Sequence, residues 1–248
     1  MPGTIIILPT YNEAQSLPRM LRQLHAAVPD AAILVVDDNS PDGTGTLADE
    51  LRASYRHLHV LHRTGREGLG AAYRAAYVWA LDRGYDTLVQ MDADGSHQPT
   101  DLPRLLVAAL HADVVVGSRW VRGGGAVQWP VKRMLLSRAG SSYAHLMLGL
   151  PFKDITGGFR VFSARALRAI DPASVDSRGY CFQIEMLMRA NDAGLSVTEV
   201  PITFVDRQFG ESKMSGGIVR EALLAVTAWG WQRRTGGHTR QVPVEAAR

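Results

Sequence analysis

The chain has 248 residues, 46% of them hydrophobic, which suffices for one large domain or a domain with an appendage. A single cysteine, Cys181, excludes an internal disulfide framework, and the longest run without Asp, Glu, Lys or Arg spans 14 residues (139–152), short of the ~20 that cross a bilayer. The 27 basic and 24 acidic side chains divide unevenly, 9 against 14 in residues 1–118 and 18 against 10 in residues 119–248.

The elements alternate in period along the first half. Residues 5–8 form a short apolar run with no charged segment before them, and read as a strand rather than a leader. Leu17, Met20, Leu21, Leu24 and Val28 recur at helical spacing, with Ser16 as the expected N-cap and Pro18 in the first turn. A second run at 33–36 leads into a turn cluster at 37–45 and a helix carrying Leu47 and Leu51. A strand at 58–61, a glycine-rich loop at 65–70, a helix at 71–81, a strand at 87–91, a helix at 102–110 and a strand at 114–116 complete the series. Continuous apolar runs between helices predict an α/β fold, a mostly parallel twisted sheet with helices on both faces. Ligands of such sheets bind beyond the carboxyl ends of the strands.

After Arg119 the pattern loosens. A loop opens at Gly123, a helix is expected over Val131–Leu148, a turn at 156–158, a helix at 182–191, an extended segment at 197–205 and an apolar helix at 218–231. We expect one catalytic domain over 1–232, with an amphipathic-helix region at its C-terminal end, and a frayed tail at 233–248.

The strand ends carry the chemistry. The first strand lacks the G-x-G-x-x-G turn of a dinucleotide-binding unit, and no Walker A loop occurs anywhere, so P-loop hydrolysis is excluded. The fourth strand ends in Asp92-Ala93-Asp94. Residues i and i+2 of an extended segment point to the same side, so two carboxylates converge at the ligand-binding edge of the sheet. Such a pair repels unless a cation sits beside it, and oxygen ligands of this kind suit Mg²⁺ or Mn²⁺ bound together with substrate phosphates.

The segments PTYNE (9–13), VVDDNSPDGT (35–44), DADGSH (92–97) and GSR (117–119) resemble those of the family 2 glycosyltransferases, which have a GT-A fold. ITGGFR (155–160), GYCFQIEM (179–186) and EVPITFVDRQFGESK (199–213) narrow the likeness to the dolichol-phosphate and polyprenol-phosphate mannose synthases. The resemblance implies inverting, metal-dependent transfer of mannose from GDP-mannose to a polyprenyl phosphate. It implies that Pro9, Tyr11 and Glu13 contact the guanosine and that Val36 and Asp38 lie around base and ribose. Asp92, Ala93 and Asp94 would surround metal and diphosphate, and Arg119, Arg207 and Lys213 match donor-binding cations. Ser96 stands where some members have Gln as a further metal ligand. On this reading residues 1–118 serve nucleotide sugar and metal, and residues 119–232 serve acceptor and membrane.

An attacking phosphate oxygen is already anionic and needs no strong base, so cations matter more than a proton acceptor. Arg133 and Ser137, i and i+4 on one helix face beside Lys132 and Arg138, form a cradle for the lipid phosphate, and Arg133, Arg119 and Asp94 are the expected catalytic residues. Glu185 and Asp154 are the acidic residues of the second half expected to face the site, with pairing to an arginine as the alternative for Glu185, and Cys181 is expected to pack as an apolar residue. Apolar side chains after Arg133 and in the last helix, with Arg233 and Arg234 following, predict peripheral association with the cytoplasmic face of a membrane, aided by a membrane-spanning protein partner. No basic stripe with interleaved aromatics marks a nucleic-acid partner. The rival readings are the same chemistry with another donor such as UDP-glucose, a non-catalytic nucleotide-sugar-binding relative, and a nicotinamide-dependent oxidoreductase.

Overall fold

The computed structural model describes residues 3–175, 177, 179–206 and 216–235. The first three strands, β1 (Thr4–Thr10), β2 (Ala32–Asp37) and β3 (Leu58–His62), alternate with α1 (Leu17–Ala27), α2 (Thr44–Leu51) and α3 (Leu69–Leu81). Next come β4 (Thr87–Gln90), α4 (Leu102–Ala108) and β5 (Val114–Ser118). The second half contains β6 (Gly125–Val127), α5 (Val131–Leu148), β7 (Arg160–Ser163), α6 (Ala164–Ile170), α7 (Gly179–Asp192), β8 (Val197–Pro201), β9 (Thr203–Val205) and α8 (Gly216–Arg234).

Seven strands form one sheet in the order β3-β2-β1-β4-β7-β5-β8, parallel throughout except for β7. The runs at 5–8 and 33–36 are buried on both faces, which is why they lack polar alternation. One face packs on α1 and α4, and the other on α3, α6 and α7, with α5 and α8 adding Ala144, Leu148 and Val226 to that core.

Register fixes the functional edge. Thr10 stands opposite Asp37, Asp37 opposite His62 and Ile7 opposite Gln90, so the segments leaving β1, β2, β3 and β4 emerge together. Because β7 runs the other way, its first residue, Arg160, pairs with both Gln90 and Val116 at this same edge. A two-stranded sheet of β6 and β9 closes beside it, and Phe204 bridges to His97.

Several expectations change. β6, β7 and α6 are absent from the predicted pattern. β7 has only four residues and opens with an arginine, and α6 follows with no turn between, its N-cap Ser163 accepting the Ala166 N–H at 3.0 Å. Ser16 stands at the predicted cap position, but its backbone is helical and its hydroxyl donates to Glu13 Oε2 at 2.7 Å instead. The extended segment at 197–205 is two strands, with buried Ile202 between them. The helix assigned to 218–231 reaches Arg234, past the expected start of the tail, and residues 236–248 lie outside the described residues.

Candidate active site

The corner above β1 and β2 is built by short polar side chains. Asn12 takes a φ of 60° and the chain crosses the sheet edge there. The N–H groups of Asn12, Glu13 and Ala14 donate to Ser40 Oγ, Thr44 Oγ1 and Asp42 Oδ2 at 3.1, 2.9 and 3.1 Å. The 35–44 segment therefore holds the 9–13 segment in place. Asp37 is consumed in this task, accepting from Thr10 Oγ1 and from both the N–H and the hydroxyl of Ser40.

Asp38 is bound by Arg63 Nη1 at 2.5 Å, and Arg63 Nη2 reaches Glu67 at 2.9 Å. Burial pushes the Asp38 carboxyl above its ordinary range, and Arg63 opposes that shift. The sequence pattern does not single out Arg63, although it directly follows β3 at the edge where such sheets place their polar residues. The Tyr11 ring lies 4.3 Å from the Arg66 guanidinium carbon. Val36 is fully buried among core residues, so its side chain offers no surface to a nucleoside.

The acidic pair sits in a tight bend after β4. Residues 93–95 bend instead of continuing the strand, so strand alternation does not govern where the two carboxylates point. Asp92 donates its N–H to His97 Nδ1 at 3.0 Å, and the Ser96 N–H donates to Asp94 Oδ1 at 3.0 Å. His97 is buried between Phe159 and Phe204. Burial pushes its pKa down against the pull of Asp92 and Asp94. With Nδ1 accepting, the neutral ring carries its proton on Nε2. Burial also raises the Tyr73 phenol, and both Asp92 and Asp94 add to that shift from nearby.

Ser96 Oγ is buried and has no hydrogen-bond partner among the described residues. Among the described residues, no cluster of three or more His, Cys, Asp or Glu exists that would hold a metal. A cation here would have two carboxylates and one orphaned hydroxyl, a donor set that fits an ion shared with substrate phosphates. Ala93 between them is buried.

A second layer supports the bend. Arg160 is completely buried and donates to the carbonyls of Gly157, Gln183 and Ile155 at 2.9, 2.6 and 2.8 Å. Burial lowers its pKa to about 10, leaving it charged at neutral pH. Gln90 donates to the Gly158 carbonyl at 2.9 Å, and a Cβ at Gly158 would stand 3.8 Å from Asp92 Oδ2. The 155–159 segment therefore walls the acidic pair.

Arg119 is held by a buried acid. Its Nε and Nη2 bind the two carboxylate oxygens of Asp154 at 2.7 Å each, and Nη2 also reaches Thr156 Oγ1 at 3.0 Å. Asp154 further accepts the Arg119 N–H, while Glu199 accepts the N–H groups of Lys153 and Asp154. Two of the three guanidinium nitrogens are thus committed within the protein, and the side chain is buried.

On α5, Arg133 Nη1 donates to Asp206 Oδ1 at 2.5 Å, and its guanidinium carbon lies 4.3 Å from the Trp129 ring centre. Ser137 is half-buried one turn on, and Arg138 lies over Trp120. Arg207 and Lys213 lie outside the described residues. Glu185 pairs with Arg189 at i,i+4, the structural alternative of the two expected. Cys181 is buried, and burial lifts its thiol to about 11, as an inert packed residue requires.

The α5–α8 surface exposes Val131, Leu135, Leu136 and Leu146 from one helix and Leu223, Leu224 and Trp231 from the other. The helices cross closely at Gly230, where a Cβ would meet the Met147 carbonyl oxygen at 2.7 Å. Gly230→Ala is expected to cost roughly 1–3 kcal/mol by prising them apart. A melting curve, with limited proteolysis of α8, checks this. No helix among the described residues is long and apolar enough to cross a membrane.

A mostly parallel sheet whose carboxyl edge carries an Asp-x-Asp bend is the GT-A arrangement of a glycosyltransferase. The family model for "Glycosyl transferase family 2" matches residues 5–171. An undecaprenyl-phosphate mannosyltransferase of Micrococcus luteus is 56% identical over 233 residues, covering 94% of this chain and 96% of that one. A polyprenol monophosphomannose synthase of Mycolicibacterium smegmatis is 52% identical over 233 residues, covering 93% and 88%. Among solved structures, a mannosyltransferase of Pyrobaculum calidifontis in complex with GDP-Man and Mn²⁺ superposes with a TM-score of 0.60 at 18% identity, over 96% of this chain and 65% of that one. Mannosyl-3-phosphoglycerate synthase of Rubrobacter xylanophilus gives 0.65 at 20% identity, over 98% and 78%. The chain belongs to glycosyltransferase family 2, and its relatives include polyprenol-phosphate mannose synthases similar over nearly its whole length.

Proposed function

We propose that the enzyme transfers mannose from GDP-mannose to the phosphate of a polyprenyl phosphate, with inversion and with a divalent cation, Mg²⁺ or Mn²⁺. The similarity of more than half identity to two lipid-phosphate mannosyltransferases supports substrate and reaction class. The observation that carries the site assignment is a short connection. The Val205 N–H donates to the Ser96 carbonyl at 3.0 Å, and Asp206, the next residue, binds Arg133. One strand, β9, thereby joins the acidic bend to the cation of the acceptor helix.

On this reading Asp92 and Asp94 would hold the cation, with Ser96 Oγ as a third protein ligand, and the ion would supply charge to offset a departing diphosphate. Tyr11, Glu13, Pro9 and Asp38 form the nucleoside corner. Arg133 and Ser137 receive the acceptor phosphate, one of whose oxygens attacks the sugar from the face opposite the leaving group. No base is required of His97, whose Nδ1 is filled and whose ring is neutral. Arg119 acts as a positioning residue that fixes the 154–160 wall through Asp154. Arg207 and Lys213 supply donor-binding charge, residues 1–118 serve donor and metal, and residues 119–232 serve acceptor and bilayer. The exposed apolar side chains of α5 and α8 rest on the cytoplasmic face of a membrane, where a membrane-spanning protein partner adds a second hold.

Calorimetric titration tests the donor assignment. With Mn²⁺ present, GDP-mannose is expected to bind at least tenfold more tightly than UDP-glucose, and chelation of the metal to weaken it. Equal or reversed preference contradicts the assignment.

A further inference from the structure

We infer that Asp206 is a built-in stand-in for the acceptor phosphate: its carboxylate occupies Arg133 and must be displaced by each incoming phosphate. The inference rests on the reading of Arg133 as the acceptor-phosphate cation and adds a residue that sets how tightly that site holds its ligand.

Three observations carry it. First, Asp206 Oδ1 lies 2.5 Å from Arg133 Nη1, a monodentate contact that occupies one edge of the guanidinium. An oxyanion bound there is what a phosphate oxygen would replace. Second, the pair is reachable: the side chains are 20% and 30% exposed, so an anion from solvent or from a lipid surface can compete for Arg133 without unfolding anything. The Asp154–Arg119 pair, 0% and 8% exposed, offers no such opening. Third, Asp206 is held by its backbone independently of Arg133. Its N–H donates to the Val127 carbonyl at 3.1 Å, and the preceding Val205 N–H donates to the Ser96 carbonyl at 3.0 Å. Arg133 is likewise held from its other side by the Trp129 ring. Exchange at the guanidinium therefore leaves the backbone bonds to β6 and to the acidic bend in place.

The charges explain what such a stand-in does. During transfer an acceptor phosphate oxygen forms the bond to the sugar's C1. The C1–O bond to the nucleoside diphosphate breaks, and the diphosphate leaves with the electron pair. The acceptor enters as a monoester with about −1.5 to −2 charge and leaves as a diester with −1. A carboxylate of charge −1 raises the threshold for both. The monoester, more highly charged, still displaces it, whereas the diester meets a competitor of equal charge, so the product is released instead of retained.

Farnesyl phosphate serves as the probe, in steady-state assays with GDP-mannose and Mn²⁺. Asp206→Asn is expected to lower the farnesyl phosphate KM about threefold to fivefold, the size of a partly exposed ion pair. Inhibition by added mannosyl phosphoryl farnesol should tighten by a similar factor, with the KM for GDP-mannose unchanged. Arg133→Gln is expected to raise the farnesyl phosphate KM, and adding Asp206→Asn to that variant should change nothing further. A purely structural Asp206 would raise the acceptor KM on substitution. That result, or an equal gain in the Arg133→Gln background, overturns the inference while leaving the acceptor site intact. A wild-type acceptor KM in Arg133→Gln alone overturns the acceptor-site reading, and the stand-in with it.

Discussion

Asp94→Asn is expected to reduce kcat/KM by roughly a thousandfold or more, about 4 kcal/mol of lost transition-state stabilisation. The effect follows from the position of the carboxylate. Asp94 is buried in the bend, and its Oδ1 accepts the Ser96 N–H, so the side chain both shapes the turn and supplies charge. Asparagine keeps an oxygen for that N–H and removes the charge, which separates the two contributions. Alanine removes both. We therefore expect Asp94→Asn to melt within a degree or two of the wild type while losing turnover, and excess Mn²⁺ to leave the loss unrepaired. Exhaustive chelation of the wild-type enzyme should reproduce the defect and added Mg²⁺ or Mn²⁺ reverse it. Turnover within tenfold of wild type in the asparagine variant would remove Asp94 from the metal site.

The largest stability effect is expected at Asp154. This carboxylate has no exposed surface and receives three hydrogen bonds from Arg119, two from the guanidinium and one from the backbone. Asp154→Ala leaves the guanidinium buried with its principal partner gone, a change that typically costs 3–5 kcal/mol. For a chain of this size that lowers the melting temperature by roughly 6–20 °C. Arg119→Ala is expected to cost a similar amount, because it strands the carboxylate instead. The double variant should be less damaged than the sum of the two, and thermal melts of all three establish the coupling. Additive losses would mean that the pair is not the unit the geometry describes.

These two residues mark how much of the enzyme is legible in its sequence. Asp92 and Asp94 stand out because they end a continuous apolar run, and a parallel sheet buried on both faces leaves its polar residues at strand ends. Asp38 and Tyr11 likewise follow β2 and β1, but only the family resemblance links them to a nucleoside. The supports were not visible. Arg160 holds carbonyls at 155, 157 and 183 from a four-residue strand that runs against its neighbours, and neither period nor turn chemistry encodes that arrangement. Glu199 receives N–H groups from residues 153 and 154, and Asp206 meets Arg133 across 73 positions of chain. Such pairings exist only after the sheet order is set. Arg119 illustrates the same limit: its position after β5 is plain in the sequence, but its pairing with buried Asp154 exists only once the chain is folded.

One measurement bears on the whole account: the mass and tandem fragmentation of the lipid product formed from GDP-mannose, farnesyl phosphate and Mn²⁺. A single mannosyl phosphodiester of farnesol is expected, formed with release of GDP and absent when the metal is chelated. Free mannose, a sugar attached anywhere but the phosphate, or product formed from UDP-glucose in preference would contradict it.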